Sequence, residues 1–198
     1  MIPNQKILNL QGLNFLQNSS LKVGILGGSF NPSHAGHLSI SLQALKFYQF
    51  DYIIWLVSNQ NPIKSAYIDD IFLRSKKACS IAIHPKIIIS TAEHDLNCYY
   101  SYDSLNYLVK KFSKINFTWI LGMDYIASFH KWHRSKEIQE LCDIIFFDRP
   151  CPLRLVNLNA IGLNNNAKLA KTKSNNIIIH RRILCDVSSS TIRNTLIK

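Results

Sequence analysis

The amino-acid sequence predicts an α/β fold, in which a Rossmann-like, open, mainly parallel sheet carries helices on both faces. Three observations support this prediction. Short apolar runs rich in Ile, Val, Phe and Trp are bounded by turn-forming residues, as β-strands are. These runs do not alternate between apolar and polar positions, which is typical of strands buried on both faces. Mixed segments of helical length separate the runs, and strands that alternate with helices form parallel sheets.

The individual elements follow from the same signals, taken in chain order. Six segments have the composition of buried strands: residues 21–26, 51–57, 86–90, 116–121, 143–148 and 175–180. Five segments have helical length: residues 37–49, 69–83, 101–112, 135–141 and 188–197. In an open parallel sheet, ligands bind beyond the carboxyl ends of the strands, near the point where the strand order reverses. Residues that directly follow a strand are therefore the first candidates for a functional site.

The length of 198 residues corresponds to one domain of ~150 residues with a modest addition. We predict an N-terminal extension over residues 1–20 and a single domain over residues 21–198. A basic, Asn-rich loop is predicted within that domain at about residues 151–176. The hydrophobic fraction of 47% and the charged fraction of 18% exclude a disordered or coiled-coil chain.

The charge balance indicates an anionic partner. The chain has 23 Lys and Arg side chains against 12 Asp and Glu, which gives a formal net charge of +11. Nucleic acid, an anionic membrane surface and phosphorylated small molecules all fit such a charge. The segment between Asp148 and Asp186 contains no acidic residue. Its basic residues are not interleaved with aromatic ones, which argues against nucleic acid as the main partner.

The five cysteines are odd in number and form no C-x-x-C pair, so they suggest neither a disulfide framework nor a structural zinc site. We expect reduced thiols and a cytoplasmic protein. The first 20 residues fit a secretory signal poorly, because Asn, Gln and Gly interrupt the apolar residues. No segment approaches the ~20 apolar residues of a membrane span, so we expect no membrane association.

The most informative segment follows the first predicted strand. Gly27 and Gly28 end this strand, and the loop after them leads to the sequence His-Ala-Gly-His at residues 34–37, where we expect a helix to begin. Paired glycines allow the backbone to approach a ligand closely, and a helix N-terminus offers N–H groups to an anion. The pattern is neither G-x-G-x-x-G nor G-x-x-x-x-G-K-[ST]. It therefore predicts a nucleotide-type site without a dinucleotide fingerprint or a P-loop.

His34 and His37 are three residues apart, so both imidazoles fall on one side of a helical turn. Aimed at a phosphate, the two rings would stabilise charge that develops on its oxygens. Zinc ligation is one alternative, but no carboxylate or thiol is spaced to complete such a site. Helix capping with surface solvation is the other alternative for this pair.

Residues 27–37, Gly-Gly-Ser-Phe-Asn-Pro-Ser-His-Ala-Gly-His, resemble the signature of the HxGH nucleotidyltransferases, which transfer a nucleotidyl group from ATP or CTP onto a phosphate or carboxylate. Members of this family usually have aspartate where this chain has Asn31. Asparagine also caps loops, so we expect the loop to keep its shape. The resemblance implies two catalytic residues, His34 and His37. It also implies ATP contacts from Gly27, Gly28, Ser29, Phe30, His34 and His37.

A second motif opens the last predicted helix. Residues 187–193 read Val-Ser-Ser-Ser-Thr-Ile-Arg, and serines at a helix start supply capping hydroxyls and backbone N–H groups. The guanidinium one turn later is suited to phosphate oxygens. The segment resembles the I-S-S-[ST]-x-I-R motif of the same superfamily, which binds the ATP phosphates. The resemblance implies phosphate contacts from Ser188, Ser189, Ser190 and Arg193.

Further strings resemble the nicotinate-nucleotide adenylyltransferases within that superfamily. Residues 61–64, Asn-Pro-Ile-Lys, resemble the N-x-P-P-H-K turn, with Lys64 retained and isoleucine in place of histidine. Residues 99–105, Tyr-Tyr-Ser-Tyr-Asp-Ser-Leu, resemble [PS]-S-Y-T-x-D-T-L. The resemblance implies that Lys64 binds the mononucleotide and that Tyr100 and Ser101 face the nicotinate carboxylate.

The fourth predicted strand leads into a string that resembles I-I-G-x-D-x-[LIM]-x-x-[LF]-x-x-W. The resemblance implies that Gly122 lets the ATP nucleoside lie on the strand end and that Asp124 accepts hydrogen bonds from ribose hydroxyls. Trp132 would offer a flat face to the pyridine ring, and His133 follows where the family often has tyrosine. The string FFDRP fits the family's [VI]-x-x-R-P turn, which places Arg149 near the mononucleotide.

The resemblance implies adenylyl transfer from ATP to nicotinate mononucleotide, with deamido-NAD and pyrophosphate as products. The acceptor phosphate is already a nucleophile, so positioning and charge neutralisation suffice for catalysis. We expect Mg²⁺ bound chiefly through the ATP phosphates and water, without dedicated protein ligands. The alternatives are a sister enzyme that acts on nicotinamide mononucleotide or phosphopantetheine, and a nucleic-acid-binding protein. The sequence leaves the oligomeric state open, and a homo-oligomer is one alternative.

Overall fold

The protein's structure, a computed structural model, describes residues 7–17, 20–59, 69–147, 170–171 and 176–180. These residues form the strands β1 (Ile7–Leu8), β2 (Lys22–Gly28), β3 (Tyr52–Val57), β4 (Ile87–Ser90), β5 (Asn116–Gly122), β6 (Asp143–Phe147), β7 (Ala170–Lys171) and β8 (Asn176–His180). They also form the helices α1 (Ala35–Tyr48), α2 (Ile71–Ile81), α3 (Ala92–Asp95), α4 (Ser101–Lys111) and α5 (Ser135–Leu141). No helix in these ranges has the length and apolar character needed to cross a membrane.

The described strands form one sheet with the order β1-β4-β3-β2-β5-β6-β8-β7. All neighbouring strands are parallel except β7 and β8, which are antiparallel. The predicted α/β fold with a mainly parallel sheet is therefore confirmed, as are the six predicted strands. The predicted helix over residues 188–197 and most of the predicted loop at 151–176 lie outside the described residues.

The strand order reverses at β2. From β2 the chain adds β3 and then β4 on one side, and it returns to place β5 on the other side of β2. Strands β2 and β5 pair over Lys22–Leu26 and Asn116–Ile120. In open α/β sheets the crevice at such a reversal, beyond the carboxyl ends of the strands, is where ligands bind. The fold therefore directs attention to the loop after β2 and to the segment after β5.

Successive side chains of the same strand enter two separate cores. Ile25 and Trp119 pack with the buried residues of α4 and α5 on one face of the sheet. Leu26 and Trp55 pack with those of α1 and α2 on the other face. Because both faces are covered, consecutive strand positions are apolar, which is why the sequence shows runs rather than alternation.

The start of the chain belongs to this sheet as well. Strand β1 pairs in parallel with β4, and the 3₁₀ turn after β1 buries Leu13 and Leu16 completely. The backbone N–H of Leu10 donates a hydrogen bond to the Asp95 carboxylate at 2.6 Å. Residues 7–17 of the predicted extension are thus an edge of the domain. This pairing could not be predicted, because two strand residues and one short turn are too few to show a period.

Candidate active site

A cavity of about 560 Å³ lies at the carboxyl end of β2, a volume typical of small-ligand sites. Its walls come from the loops after β2 and β3, from the segment of α3 and α4, and from the segment after β5. The lining residues are Gly27, Gly28, Ser29, Ser58, Asn59, Glu93, Tyr99, Tyr100, Ser101, Trp119, Tyr125, Ser128, Lys131, Trp132 and His133. The cavity thus occupies the crevice that the strand reversal predicts.

The structure brings two sets of predicted residues together around this cavity. From the predicted ATP set it includes Gly27, Gly28 and Ser29, and from the predicted mononucleotide set Tyr100, Ser101, Trp132 and His133. Five predicted residues are described but do not line it: Phe30, His34, His37, Gly122 and Asp124. Six lie outside the described residues: Lys64, Arg149, Ser188, Ser189, Ser190 and Arg193.

The two histidines cap helix α1, which begins at Ala35 rather than at His37. The Nδ1 atom of His34, the N-cap residue, accepts a hydrogen bond from the Gly36 N–H at 3.1 Å. In return, the Nδ1 atom of His37 accepts one from the His34 N–H at 3.2 Å. The ring centroids are 3.9 Å apart, so the predicted convergence of the two imidazoles is confirmed. The pair is a capping box built from histidines.

This capping fixes the chemistry of both rings. A ring nitrogen that accepts a hydrogen bond carries no proton, so each neutral imidazole holds its proton on Nε2. An Nε2–H group is a donor that suits a phosphate oxygen. Capping and phosphate binding are therefore compatible roles for His34 and His37, because the two nitrogens of each ring serve different partners.

A packed aromatic support lies beneath His37. The Trp55 indole N–H donates to the Ser41 hydroxyl, which in turn donates to the His37 carbonyl, both at 2.8 Å. The Phe30 ring stacks on Trp55 with centroids 5.1 Å apart and lies 4.7 Å from the His37 ring. Phe30 has φ 48°, in the left-handed region that an aromatic residue rarely adopts. Since its side chain is committed to this packing, an ATP contact from Phe30 would come from its backbone.

The two glycines at the end of β2 serve different purposes. A Cβ atom on Gly27 would lie 2.3 Å from the Trp119 ring, so glycine is needed there to accommodate that indole. A Cβ atom on Gly28 would lie 3.5 Å from the Phe30 ring, which is an ordinary contact distance. Packing within the protein therefore requires glycine at position 27 but not at position 28. The absence of a side chain at Gly28 suits close approach of a ligand.

Aromatic side chains form the opposite wall of the cavity. The rings of Tyr100 and His133 pack in a tilted arrangement, with centroids 4.5 Å apart and an interplanar angle of 33°. Trp132 is half-buried, and Tyr125 meets it edge-on at 5.4 Å. Such rings offer flat apolar faces to a planar ligand. Lys131 adds an exposed cation that the sequence analysis did not single out.

Glu93 is a cavity residue that the sequence analysis missed. It is 5% exposed, and its two oxygens accept hydrogen bonds from the Ser104 hydroxyl at 2.9 Å and the Asn59 N–H at 3.2 Å. Burial raises the pKa of this carboxyl to about 7, against the opposing effects of these hydrogen bonds and of the nearby Arg74 charge. Asn59 lies two positions after β3, and Glu93 lies three positions after β4. Their nearness to the carboxyl ends of strands is the sequence signal that could have identified them.

The described residues contain no group of three His, Cys, Asp or Glu side chains that could hold a metal ion. Asp124, the acidic residue of the segment after β5, is exposed and lies apart from the cavity lining. The described residues that line the cavity offer hydroxyls, aromatic faces, the Glu93 carboxyl and the Lys131 ammonium.

Comparison with known proteins shows the family of the chain. Residues 25–195 match the model of the cytidylyltransferase-like family, and the chain belongs to that family. Among curated proteins it is similar to the probable nicotinate-nucleotide adenylyltransferase of Methylorubrum extorquens strain PA1, with 37% identity over 134 residues, 66% of this chain and 71% of the relative. The protein of the same name from Bradyrhizobium sp. strain ORS 278 is 39% identical over 141 residues, 71% of this chain and 73% of the relative.

Solved structures show the same fold. Plasmodium falciparum nicotinic acid mononucleotide adenylyltransferase complexed with NaAD has a TM-score of 0.69 and 18% identity, over 89% of this chain and 84% of that one. A putative nicotinate-nucleotide adenylyltransferase from Vibrio parahaemolyticus has a TM-score of 0.55 and 20% identity, over 89% and 87% of the two chains. At these identities the likeness concerns the fold.

Proposed function

We propose that the protein transfers the adenylyl group of ATP to nicotinate mononucleotide, forming deamido-NAD and pyrophosphate, the activity that the names of its curated relatives describe. One observation carries the proposal most directly. Gly28 lines the cavity, a Cβ atom on it would lie 3.5 Å from the Phe30 ring, and that ring lies 4.7 Å from the His37 ring at the start of α1. This proximity supports a phosphate site next to the aromatic-walled pocket.

The transfer itself needs little from the protein beyond positioning. An oxygen of the acceptor 5′-phosphate bonds to the α-phosphorus of ATP as the bond from that phosphorus to the bridging oxygen of the β-phosphate breaks. The Nε2–H groups of His34 and His37 would donate to the phosphate oxygens that gain charge. The N-terminus of α1, a helix of 14 residues, adds a positive dipole end at the same place.

The acceptor would lie against the aromatic wall. Trp132 would stack on the pyridine ring, while the carboxylate would lie at the N-terminus of α4, where Ser101 is the first helical residue and Tyr100 precedes it. A helix N-terminus favours an anion over a neutral group. This placement therefore predicts preference for nicotinate mononucleotide over the amide. Lys64 and Arg149 stay predictions from the motifs.

Mg²⁺ would accompany ATP as a ligand of its phosphates. Magnesium keeps much of its water shell, and the described residues offer no cluster of three ligands, so the polyphosphate itself would hold the ion. When bound, the ion neutralises phosphate charge.

Cys79, Cys98 and Cys142 are free thiols, which supports our assignment of the reaction to the cytoplasm. ATP and the mononucleotide are the proposed partners.

Steady-state release of pyrophosphate tests the proposal, with ATP and one of three acceptors: nicotinate mononucleotide, nicotinamide mononucleotide or phosphopantetheine. We expect kcat/KM to be at least ~5-fold higher for nicotinate mononucleotide than for the amide, since a charged group at a helix N-terminus is worth about 1 kcal/mol or more in a partly buried site. Equal or higher efficiency with the amide would overturn the proposed acceptor. Turnover of phosphopantetheine alone would assign the sister activity, and release with no acceptor would contradict adenylyl transfer altogether.

A parallel measurement addresses the nucleic-acid alternative. Filter binding of DNA and RNA at near-physiological salt should show no specific complex, while ATP binds under the same conditions. Tight binding that persists at this salt concentration would favour the nucleic-acid reading, because purely electrostatic contacts weaken steeply with salt.

A further inference from the structure

One buried guanidinium joins the segments that surround the proposed site. Arg74, in the first turn of α2, is 2% exposed. Its Nε atom donates to the Asp69 carbonyl at 2.8 Å, and its Nη1 atom donates to the carbonyls of Ser29 at 2.6 Å and Ser58 at 2.9 Å. A single side chain thus connects the loop after β2, the loop after β3 and the start of α2.

The peptide unit between Ser58 and Asn59 is held from both ends by buried charged groups. Its carbonyl accepts from Arg74, and its N–H donates to the carboxylate of Glu93 at 3.2 Å. The carbonyl and N–H of a trans peptide point in opposite directions, so these two contacts fix the orientation of its plane. The Asn59 side chain adds hydrogen bonds to the carbonyls of Glu93 at 2.8 Å and Cys98 at 2.9 Å. This rigid unit lines the cavity.

The peptide unit between Ser29 and Phe30 is held by the same guanidinium. Because its carbonyl faces Arg74, the Phe30 N–H points away from Arg74. Phe30 has the left-handed φ of 48°, which costs energy and persists only where the surroundings impose it. Ser58 also donates its N–H to the Gly28 carbonyl at 2.9 Å, which ties the two loops together beside Arg74.

Burying the Arg74 cation costs free energy of folding, so its presence in the interior suggests a functional role. Burial lowers the pKa of the Arg74 guanidinium, while the charges of Asp70, Asp69 and Glu93 act in the opposite direction. Apolar side chains can replace a whole buried ion pair with little loss of stability, so a buried charge is weak evidence for a purely stabilising role. What such a replacement cannot do is donate to three carbonyls in fixed directions.

We propose that Arg74 is a positioning residue for nucleotidyl transfer, which directs the Phe30 N–H towards the phosphates of the bound nucleotide and holds the Ser58–Asn59 peptide as a wall of the acceptor pocket. Arg74 does this without touching either substrate. The inference rests on the proposed function for the identity of the acceptor. The effect of Arg74 on binding of the nucleoside triphosphate does not depend on which acceptor the enzyme uses.

The test compares Arg74→Lys and Arg74→Met with the matched control Lys77→Met. Lys77 lies about one turn further along α2 and pairs with the Asp69 carboxylate at 2.6 Å, but it is half exposed and is not among the residues that line the cavity. We expect Arg74→Met to lower kcat per folded molecule by ~10²-fold, the cost of misplacing reacting groups by about 1 Å. Arg74→Lys should lose roughly 10-fold, because an ammonium replaces only part of the guanidinium fork. Lys77→Met should stay within about 2-fold of the wild type.

A purely structural role for Arg74 has a different signature. It would lower the melting temperature and the folded fraction but leave kcat and both KM values of the folded molecules within about 2-fold of the wild type, and that result overturns the proposal. If Arg74→Met does not fold, the kcat and KM values of folded Arg74→Lys are compared with those of the wild type in the same way. Failure of both variants to fold at low temperature would also overturn it, since Arg74 would then serve the fold itself.

Calorimetric binding of a non-hydrolysable ATP analogue, α,β-methylene-ATP, separates this inference from the proposed function. We expect Arg74→Lys to bind the analogue at least 3-fold more weakly than the wild type, with no acceptor present. If the wild type does not turn over nicotinate mononucleotide but this difference in affinity remains, the proposed acceptor fails and the positioning role stands. If turnover is as proposed but affinity and kcat of Arg74→Lys are unchanged, the positioning role fails alone.

Discussion

The two sides of the carboxyl end of β2 differ in how firmly they are held. On the histidine side, His34 and His37 are 4% and 7% exposed, and each ring is fixed by a backbone hydrogen bond and by aromatic packing. On the acceptor side, Tyr99 and Tyr100 are 49% and 44% exposed. Hydrogen bonds hold the two imidazoles, whereas the Tyr100 ring packs in a tilted contact against the exposed His133 ring.

This difference matches two tasks. Donors that stabilise a transferring phosphoryl group must be in place before charge develops, because reorganisation during the reaction would cost the rate enhancement. A wall that admits and releases a planar ligand needs accessible faces instead. Changes on the histidine side should therefore act on kcat, and changes on the acceptor side on the KM of the acceptor.

The largest expected effect is that of His37→Ala on kcat. Removing one donor to a developing anion lowers kcat by on the order of 10²-fold or more. His37→Asn is the matched variant, since an asparagine oxygen can still accept the His34 N–H and keep the helix cap. Both variants should lose kcat in steady-state assays while the acceptor KM changes little. A stable His37→Asn protein with wild-type kcat would remove His37 from the chemistry.

The second prediction concerns Glu93, whose buried carboxyl lines the cavity on the acceptor side. Because burial raises the pKa of Glu93 from 4.5 to about 7, the folded state binds its proton more tightly than the unfolded state. The proton therefore contributes to the free energy of unfolding. This contribution is present below pH 4.5, is lost as the pH rises to about 7, and amounts to at most about 3 kcal/mol. Urea unfolding at pH 5 and pH 8 measures it.

Glu93→Gln is the variant for that measurement. The amide can accept the Asn59 N–H and donate to the Ser104 hydroxyl, so it keeps both contacts without ionising. The loss of stability between pH 5 and pH 8 should be smaller in Glu93→Gln than in the wild type. The same loss in both proteins would show that Glu93 ionises as an exposed carboxyl does.

The smallest of the three effects is that of Trp132→Ala on the acceptor. Stacking of a base on an aromatic side chain contributes about 1–3 kcal/mol, so we expect the KM of nicotinate mononucleotide to rise by roughly 10-fold. Trp132→Phe keeps a flat face and should recover most of the affinity. An effect confined to kcat, or an equal rise in the KM of ATP, would contradict the division between the two sides.

Much of the fold could be predicted from the sequence, because a parallel sheet buried on both faces leaves runs of apolar residues that turn residues delimit. The glycines at the end of β2 and the histidines after it were found for a similar reason, since they lie close together in sequence at the end of a strand. Helix α1 nevertheless begins before His37, because the histidines cap the helix instead of merely lying within it.

The interactions that hold the site could not be predicted in this way. Arg74 reaches Ser29 across 45 positions, and Glu93 reaches Asn59 across 34. Neither pair has a local pattern, and a buried Arg or Glu looks in sequence like any exposed one. The packing requirement for glycine at position 27 could not be predicted either, since the Trp119 ring that imposes it comes from a different strand.

A crystal structure with α,β-methylene-ATP and nicotinate mononucleotide tests the central claim most directly. Our account predicts that the pyridine ring lies on Trp132, its carboxylate at Ser101, and the triphosphate between Gly28 and the N-terminus of α1, within hydrogen-bond distance of a histidine Nε2. A mononucleotide bound elsewhere, or a triphosphate remote from His34 and His37, would contradict it.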